Sequence, residues 1–239
     1  DMSEHIVSRY DDELKDVQRR IAEMGGMAER LVDLSVRALT RLDTTMANAV
    51  IADDRRLDQV QRETEELAIM IIARRQPMAL DLREVIGAMR ISNDLERIGD
   101  LAKNIAKRVL ALDGQFQSKR FITGVEHMAE LSLAQLKDVL DAYASRDVNQ
   151  AFEVWRRDAD IDSMYTSLFR ELLTYMMEDP RNISLCTHLL FCAKNIERIG
   201  DHATNIAETV HYVVTGESLT QDRPKQDESS VTKVSYDAA

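Results

Sequence analysis

The chain has 239 residues, of which 44% are hydrophobic and only 5% aromatic, and its formal net charge is −11. This length suits one large domain or two of roughly 100 to 120 residues each, and the acidic charge disfavours binding to nucleic acids. The sequence contains no apolar run of about eighteen residues and no apolar signal segment near its start, so we expect neither a membrane span nor export.

Six helices are predicted from the spacing of apolar residues, which recur three and four positions apart through most of the chain. In chain order they cover residues 4–42, 46–75, 79–110, 118–145, 148–178 and 183–215. Pro77 and Pro180 interrupt the pattern before the third and the sixth helix, and Gly114 and Gly216 are expected to end helices. The pair Gly25-Gly26 inside the first helix indicates a kink or a close contact with another helix.

The two halves of the chain repeat the order helix, helix, proline break, helix, which indicates an internal duplication. The simplest fold for such a chain is all-α, with two tandem three-helix bundles. We expect the first bundle over residues 1–113 and the second over residues 114–217. The remaining stretch, 218–239, is polar and aperiodic, and we expect it to be disordered.

The two cysteines, Cys186 and Cys192, lie on one predicted helix. Six residues correspond to about one and two-thirds helical turns, so the two side chains face different ways. That placement fits neither a disulfide nor a zinc site. We therefore expect two reduced, half-buried thiols in a cytoplasmic protein.

One acidic segment occurs twice. The first copy, "ERIGDLAKNIA", begins at Glu96, and the second, "ERIGDHATNIA", begins at Glu197; residues 93–106 and 194–207 are identical at nine of fourteen positions. On a helical wheel, Glu96 and Asp100 lie almost opposite the apolar residues, and Glu197 and Asp201 do the same in the second copy. The wheel predicts an acidic stripe in each half that points away from the core of its own bundle.

A second acidic pair accompanies each copy of the repeat. Aspartates four residues apart occur at Asp54 and Asp58 in one half, and at Asp158 and Asp162 in the other. Like charges at this spacing repel one another on a helix unless a cation lies between them. We therefore expect the carboxylates of each half to converge on one metal site, and oxygen ligands favour Mg²⁺, Mn²⁺, Ca²⁺ or iron. The eight candidate ligands are Asp54, Asp58, Glu96, Asp100, Asp158, Asp162, Glu197 and Asp201.

The alternative is a metal-free helical interaction protein whose acidic residues only solvate its surface. The pattern of neighbouring bases argues against it. Lys103 lies three residues after Asp100, but its counterpart in the second copy is Thr204. The acidic residues therefore recur without this basic neighbour.

An enzyme is poorly supported. A ferritin-like di-iron oxidase needs Glu-x-x-His on two helices, but the sequence has one such string, from Glu208 to His211, with Lys107 and Leu110 as its counterparts. There is no glycine-rich phosphate loop, no nucleophile elbow and no Cys/His cluster. We expect no catalytic residues, and a carboxylate-bridged metalloenzyme is the least favoured hypothesis.

The sequence resembles the PhoU family of bacterial phosphate-uptake regulators. The resemblance rests on the two "ERIGD" segments together with "MGGMAE", "IIARRQP", "LTYMMEDPRNI" and "LFCAKNIERIGDHATNI", and it extends over about residues 3–216. It implies a fold of two three-helix bundles and a Glu/Asp-x-x-x-Asp metal motif in each half, at the eight positions named above. It also implies divalent or trivalent metal ions on these carboxylates, with Fe, Mn, Mg and Zn as the candidates.

The resemblance further implies a regulatory role without catalysis. On this resemblance, we expect a cytoplasmic adaptor that links a phosphate-specific ABC transporter, through its ATPase subunit, to a phosphate sensor histidine kinase. Such an adaptor represses phosphate-starvation genes and restrains phosphate uptake. On this basis we expect a homodimer that associates peripherally with the membrane through protein partners and binds no nucleic acid.

Overall fold

The computed structural model describes residues 2–112 and 119–219, which form six α-helices and two short 3₁₀ turns. The helices are α1 (Met2–Arg41), α2 (Thr44–Arg75), α3 (Leu80–Ala111), α4 (Ile122–Ser145), α5 (Val148–Glu178) and α6 (Ile183–Thr215), and the 3₁₀ turns are Lys119–Phe121 and Pro180–Asn182. No strand occurs within the described ranges. The predicted all-α class and the six predicted helices are confirmed.

The second helix of each half begins with the same cap. The Asp43 carboxylate accepts a hydrogen bond from the backbone N–H of Met46, and the Asp147 carboxylate accepts two, from Asn149 and Gln150. Such a cap satisfies backbone donors that have no partner inside the helix. The duplication seen in the sequence therefore extends to the way the helices start.

The helix ends follow the predicted breakers where the structure describes them. Helix α2 ends at Arg75, and Gln76, just before Pro77, takes a left-handed conformation with φ of 47°. Pro180 opens a 3₁₀ turn, and Gly216 ends α6 with φ of 78°, a conformation that glycine adopts without steric cost. The predicted stop at Gly114, the boundary between residues 113 and 114, and residues 220–239 of the predicted disordered tail lie outside the described residues.

Each half packs as a three-helix bundle, and the two bundles lie side by side along a seam between α3 and α6. A single hydrophobic cluster runs through both halves. At the seam, a Cβ on Gly87 would lie 2.2 Å from Val213 Cγ2, so a larger residue would force the two helices or the Val213 side chain to move. Helix α1 continues through Gly25-Gly26, where a Cβ on Gly25 would lie 2.8 Å from Leu140 Cδ1 of α4. Gly25 therefore serves a close helix contact, whereas a Cβ on Gly26 would meet no atom within 4 Å.

Both cysteines are free and fully buried, so Cys186 and Cys192 are more deeply enclosed than the sequence predicted. Neither forms a disulfide. Within the described ranges, no helix has a stretch apolar and long enough to cross a membrane.

Candidate metal centres

Three aspartates from two helices meet in the first half, and we call this group the N-terminal cluster. Asp54 and Asp58 lie one turn apart on α2, and Asp100 comes from α3; a carboxylate oxygen of each lies within 4.8 Å of the others. Glu96, one turn before Asp100, is not part of the group of three but borders it. Burial, followed by the charge and hydrogen bond of Asp100 and the charge of Asp58, raises the pKa of Glu96 to about 7.

The equivalent aspartates meet in the second half, and we call them the C-terminal cluster. Asp158 and Asp162 of α5 and Asp201 of α6 also have carboxylate oxygens within 4.8 Å of one another. Glu197 is not part of this group of three. Its Oε2 lies 2.7 Å from the Nζ of Lys194, one turn earlier on α6. Six of the eight predicted ligands therefore form two matching groups.

The predicted orientation of the acidic stripe is wrong. Of the four acids in the stripe, Glu197 is only 3% exposed, and the other three are half-buried. The aspartates that they meet on the neighbouring helices, Asp54, Asp158 and Asp162, are no more than 1% exposed. The stripe on α3 faces α2, and the stripe on α6 faces α5, because the carboxylates of these helix pairs meet. The acidic residues lie at helix interfaces within each bundle rather than on a solvated outer face.

Burial of this charge is only partly compensated in the N-terminal cluster. Lys103 Nζ lies 3.0 Å from Asp54 Oδ2 and 3.3 Å from Asp100 Oδ1. Among the described residues, no donor reaches the buried Oδ1 atoms of Asp54 and Asp58. Burial, followed by the charges of Asp54 and Asp100, raises the pKa of Asp58. Buried acceptors without donors are costly.

The residues present fit a hard cation. Both groups offer only carboxylate oxygens, which Mg²⁺, Mn²⁺, Ca²⁺ and iron accept and which suit a soft metal poorly. In the N-terminal cluster, the ammonium of Lys103 already bridges Asp54 and Asp100, which shows that a positive charge is stabilised between α2 and α3 at this point. A bound metal would supply the remaining charge neutralisation and link the two helices.

The glycine of each "ERIGD" segment lets the two helices that carry the acidic residues approach each other closely. This role was not predicted from the sequence. A Cβ on Gly99 would lie 2.5 Å from Leu57 Cδ2 and 2.7 Å from Asp54 Oδ1. A Cβ on Gly200 would lie 3.1 Å from Ile161 Cδ1 and 3.6 Å from Asp158 Oδ1. The recurrence of glycine in both copies was the available sign, since glycine weakens a helix unless packing requires it.

Asp94 and His202 join the two halves outside the clusters. His202 Nδ1 lies 2.8 Å from Asp94 Oδ1, and the side-chain amide of Asn205 donates to the same oxygen over 3.3 Å. Asp94 of the first copy corresponds to Asn195 in the second, and His202 of the second copy corresponds to Leu101 in the first. The contact belongs to the seam between α3 and α6.

The Glu-x-x-His string lies apart from the clusters. The carboxylate of Glu208 accepts a hydrogen bond from Trp155 Nε1, and His211 Nδ1 lies 2.9 Å from the backbone oxygen of Glu217. Neither residue joins a group of potential metal ligands in the part of the chain that the structure describes. A ferritin-like centre is not formed by these residues.

Comparison with known families gives two matches to one domain model. The model described as the PhoU domain matches residues 21–109 and again residues 125–210. The chain belongs to the PhoU domain family. The two matched segments fall in the two halves, and each contains one copy of the "ERIGD" segment and one acidic cluster.

Relatives and solved structures agree with this assignment. A protein of Rhizobium meliloti, named phosphate-specific transport system accessory protein PhoU homolog, is 60% identical over 226 residues, 95% of each chain. A protein of the same name from Caulobacter vibrioides is 52% identical over 95% of this chain and 98% of its own. The crystal structure of PhoU from Pseudomonas aeruginosa has a TM-score of 0.84 and 40% identity, and it covers 87% of this chain and 100% of its own.

Proposed function

We propose that this protein is a non-enzymatic regulator of phosphate homeostasis that binds metal ions in its two acidic clusters. The observation that carries the proposal is the pair of three-aspartate groups, formed at equivalent places in a duplicated fold. The names of its relatives, which describe accessory proteins of a phosphate-specific transport system, support the biological setting.

In this role the protein is a cytoplasmic homodimer that bridges a phosphate ABC transporter, through its ATPase subunit, and a phosphate sensor histidine kinase. It lowers phosphate uptake and represses starvation genes when phosphate is plentiful. It associates with the membrane through these partners. The acidic net charge of −11 favours partners that offer a basic surface, and electrostatic complementarity affects the association rate and the choice of partner.

The metal ions have a structural part in this proposal. Asp54, Asp58 and Asp100 would hold one site, with Glu96 at its border, and Asp158, Asp162 and Asp201 would hold the other, bordered by Glu197. Fe, Mn, Mg and Zn are the candidate ions, and the all-oxygen donor set favours the first three. Bound ions would neutralise buried carboxylates, and their ligands would then join α2 to α3 and α5 to α6.

A genetic experiment tests the regulatory role. Deletion of the gene should derepress a phosphate-starvation reporter in high phosphate, and a plasmid copy should restore repression. A copy carrying Asp158→Asn with Asp162→Asn should restore it only in part if the clusters matter for signalling. Normal repression in the deletion strain would contradict the role.

Cross-linked membranes from the complemented strain should yield the transporter ATPase subunit and the kinase.

A metal-free helical interaction protein is the second candidate. The contact of Lys103 with Asp54 and Asp100 favours it, because an internal ammonium already offsets part of the charge there. The two candidates differ in metal content. Protein purified without chelator should contain stoichiometric metal under the first proposal and none under the second.

A further inference from the structure

Two grooves lie along the seam between α3 and α6, and the duplication relates one to the other. The first, with a volume of about 480 Å³, is lined by residues that include Arg90, Asn93, Asp94, Asn205, Glu208 and Tyr212. The second, of about 420 Å³, is lined by Asn104, Lys107, Arg108, Ala111, Phe191 and Asn195. Nearly every lining position in one groove has its duplicate in the other.

The duplicated positions differ in charge. Asp94 in the first groove corresponds to Asn195 in the second, and Glu208 corresponds to Lys107. The acids of the first groove are engaged within the protein, Asp94 by His202 and Glu208 by Trp155. The second groove has Lys107 and Arg108 and no lining carboxylate among the described residues, whereas the first groove combines one base, Arg90, with its two acids.

The guanidinium of Arg108 is held in the second groove without a carboxylate. It lies 3.9 Å from the centre of the Phe191 ring, and its Nη1 is 3.3 Å from His188 Nδ1. Burial and the charge of Arg108 lower the pKa of His188. Among the described residues, no carboxylate oxygen lies within ion-pair distance of Arg108 or Lys107.

We propose that this basic groove binds a small anion through a phosphate group. Its lining combines the ammonium of Lys107 and the guanidinium of Arg108 with the side-chain amides of Asn104 and Asn195, and no carboxylate lines it within the described ranges. Two cations match the charge of a phosphate dianion better than that of a single carboxylate, and charged donors form the stronger hydrogen bonds to such oxygens.

The setting makes this groove distinctive on the molecule. The chain as a whole has a net charge of −11, which repels anions from most of its surface. A pocket with two cations and no lining acid is therefore a local exception. The face of Phe191 orients Arg108, which reduces the conformational freedom that the guanidinium loses when it binds. Inorganic phosphate and a nucleoside monophosphate carry the same recognised group.

Calorimetric titration of the metal-free full-length chain tests the proposal, because removal of metal excludes phosphate bound through the acidic clusters. Inorganic phosphate and AMP are titrated separately at constant ionic strength. Both Lys107→Glu and Asn195→Asp should lower the affinity by about tenfold or more, since each adds a negative charge to the groove. Lys107 is exposed, so its replacement leaves the core intact. Arg90→Gln in the acidic groove is the matched control and should bind as the unmodified protein does.

Saturable binding that depends on Lys107 and Asn195 supports the site, and the tighter of the two ligands identifies the source of the phosphate group. No saturable binding of either ligand would overturn the proposal, as would equal binding by Lys107→Glu and the control. Asp158→Asn should bind the anion normally. A failure here is therefore distinct from a failure of the metal proposal, which is read from metal content.

Discussion

The two acidic clusters have the same aspartates but different basic neighbours. In the N-terminal half, Lys103 follows the motif and contacts Asp54 and Asp100. In the C-terminal half, Thr204 takes that position and donates its hydroxyl hydrogen to the backbone oxygen of Gly200. There, Lys194 precedes the motif and contacts Glu197. The carboxylates recur in both halves, whereas the position of the neighbouring base does not.

The clusters share their aspartates and differ in the basic residue beside them. The aspartates coincide in the two halves, whereas the nearby lysine contacts two members of the cluster in one half and the bordering Glu197 in the other. In the N-terminal cluster the base contacts two of the three aspartates directly. A metal ion that binds there must displace or share the ammonium of Lys103.

Metal binding gives the largest expected effect. A ligand at about one hundred times its Kd stabilises a protein by about 2.7 kcal/mol per site, so two sites give about 5 kcal/mol. We expect Mn²⁺ or Mg²⁺ to raise the Tm of the chelated protein by about 10 °C or more. The pair Asp54→Asn with Asp58→Asn and the pair Asp158→Asn with Asp162→Asn should each remove about half of this increase. A full increase in both double variants would show that the clusters are not the sites.

The motif glycines should distinguish the two halves in packing. Gly99→Ala places a Cβ against Leu57 and the Asp54 carboxylate, and we expect a loss of about 2 kcal/mol of unfolding free energy in the metal-free protein. Gly200→Ala meets looser contacts, and alanine favours a helix by about 1 kcal/mol, so the net change should be within about 1 kcal/mol. Denaturant unfolding measures both. Equal losses would contradict the tighter approach in the N-terminal half.

Exchange of the basic neighbour should alter metal affinity in opposite directions. Lys103→Thr removes an ammonium that competes with the metal. In a protein whose C-terminal aspartates are replaced, this change should raise the affinity for Mn²⁺ by about tenfold. Thr204→Lys, studied with the N-terminal aspartates replaced, should lower it by a similar factor. Calorimetry of the two proteins gives both values. An unchanged affinity after Lys103→Thr would show that the ammonium does not compete.

The helix caps give the smallest expected effect. The Asp147 carboxylate accepts from two backbone amides and that of Asp43 from one. Asp147→Ala and Asp43→Ala should each lower the free energy of unfolding by about 1 kcal/mol, with the larger loss at Asp147. Thermal unfolding followed by circular dichroism detects both losses, and a larger loss at Asp43 would contradict the count of accepted bonds.

The helices and their ends followed from the sequence because local signals determine them. Apolar spacing gave the six helices, and Pro77, Pro180 and Gly216 marked their limits in agreement with the structure. The repeated acidic segment and the aspartate pairs on α2 and α5 also indicated the six aspartates that meet. These features depend on neighbours along the chain, which the sequence displays directly.

The orientation of the acidic stripe did not follow, because a wheel describes one helix alone. Helix α3 packs against α1, α2 and α6, so little of its circumference is left for solvent, and the stripe faces α2. The contacts of Lys103 with Asp54 and the clearance at Gly99 join different helices. Such contacts depend on how far the helices approach, which spacing along one helix does not determine.

The most direct measurement is the metal content of protein purified without chelator, determined by elemental analysis beside matched variants. We expect stoichiometric metal in the unmodified chain. Roughly half of it should be lost in Glu96→Gln with Asp100→Asn, and also in Glu197→Gln with Asp201→Asn. All of it should be lost when the four substitutions are combined, since each half holds its own site. A chain that carries no stoichiometric metal, or variants that retain the full content, would contradict the two acidic clusters as metal centres.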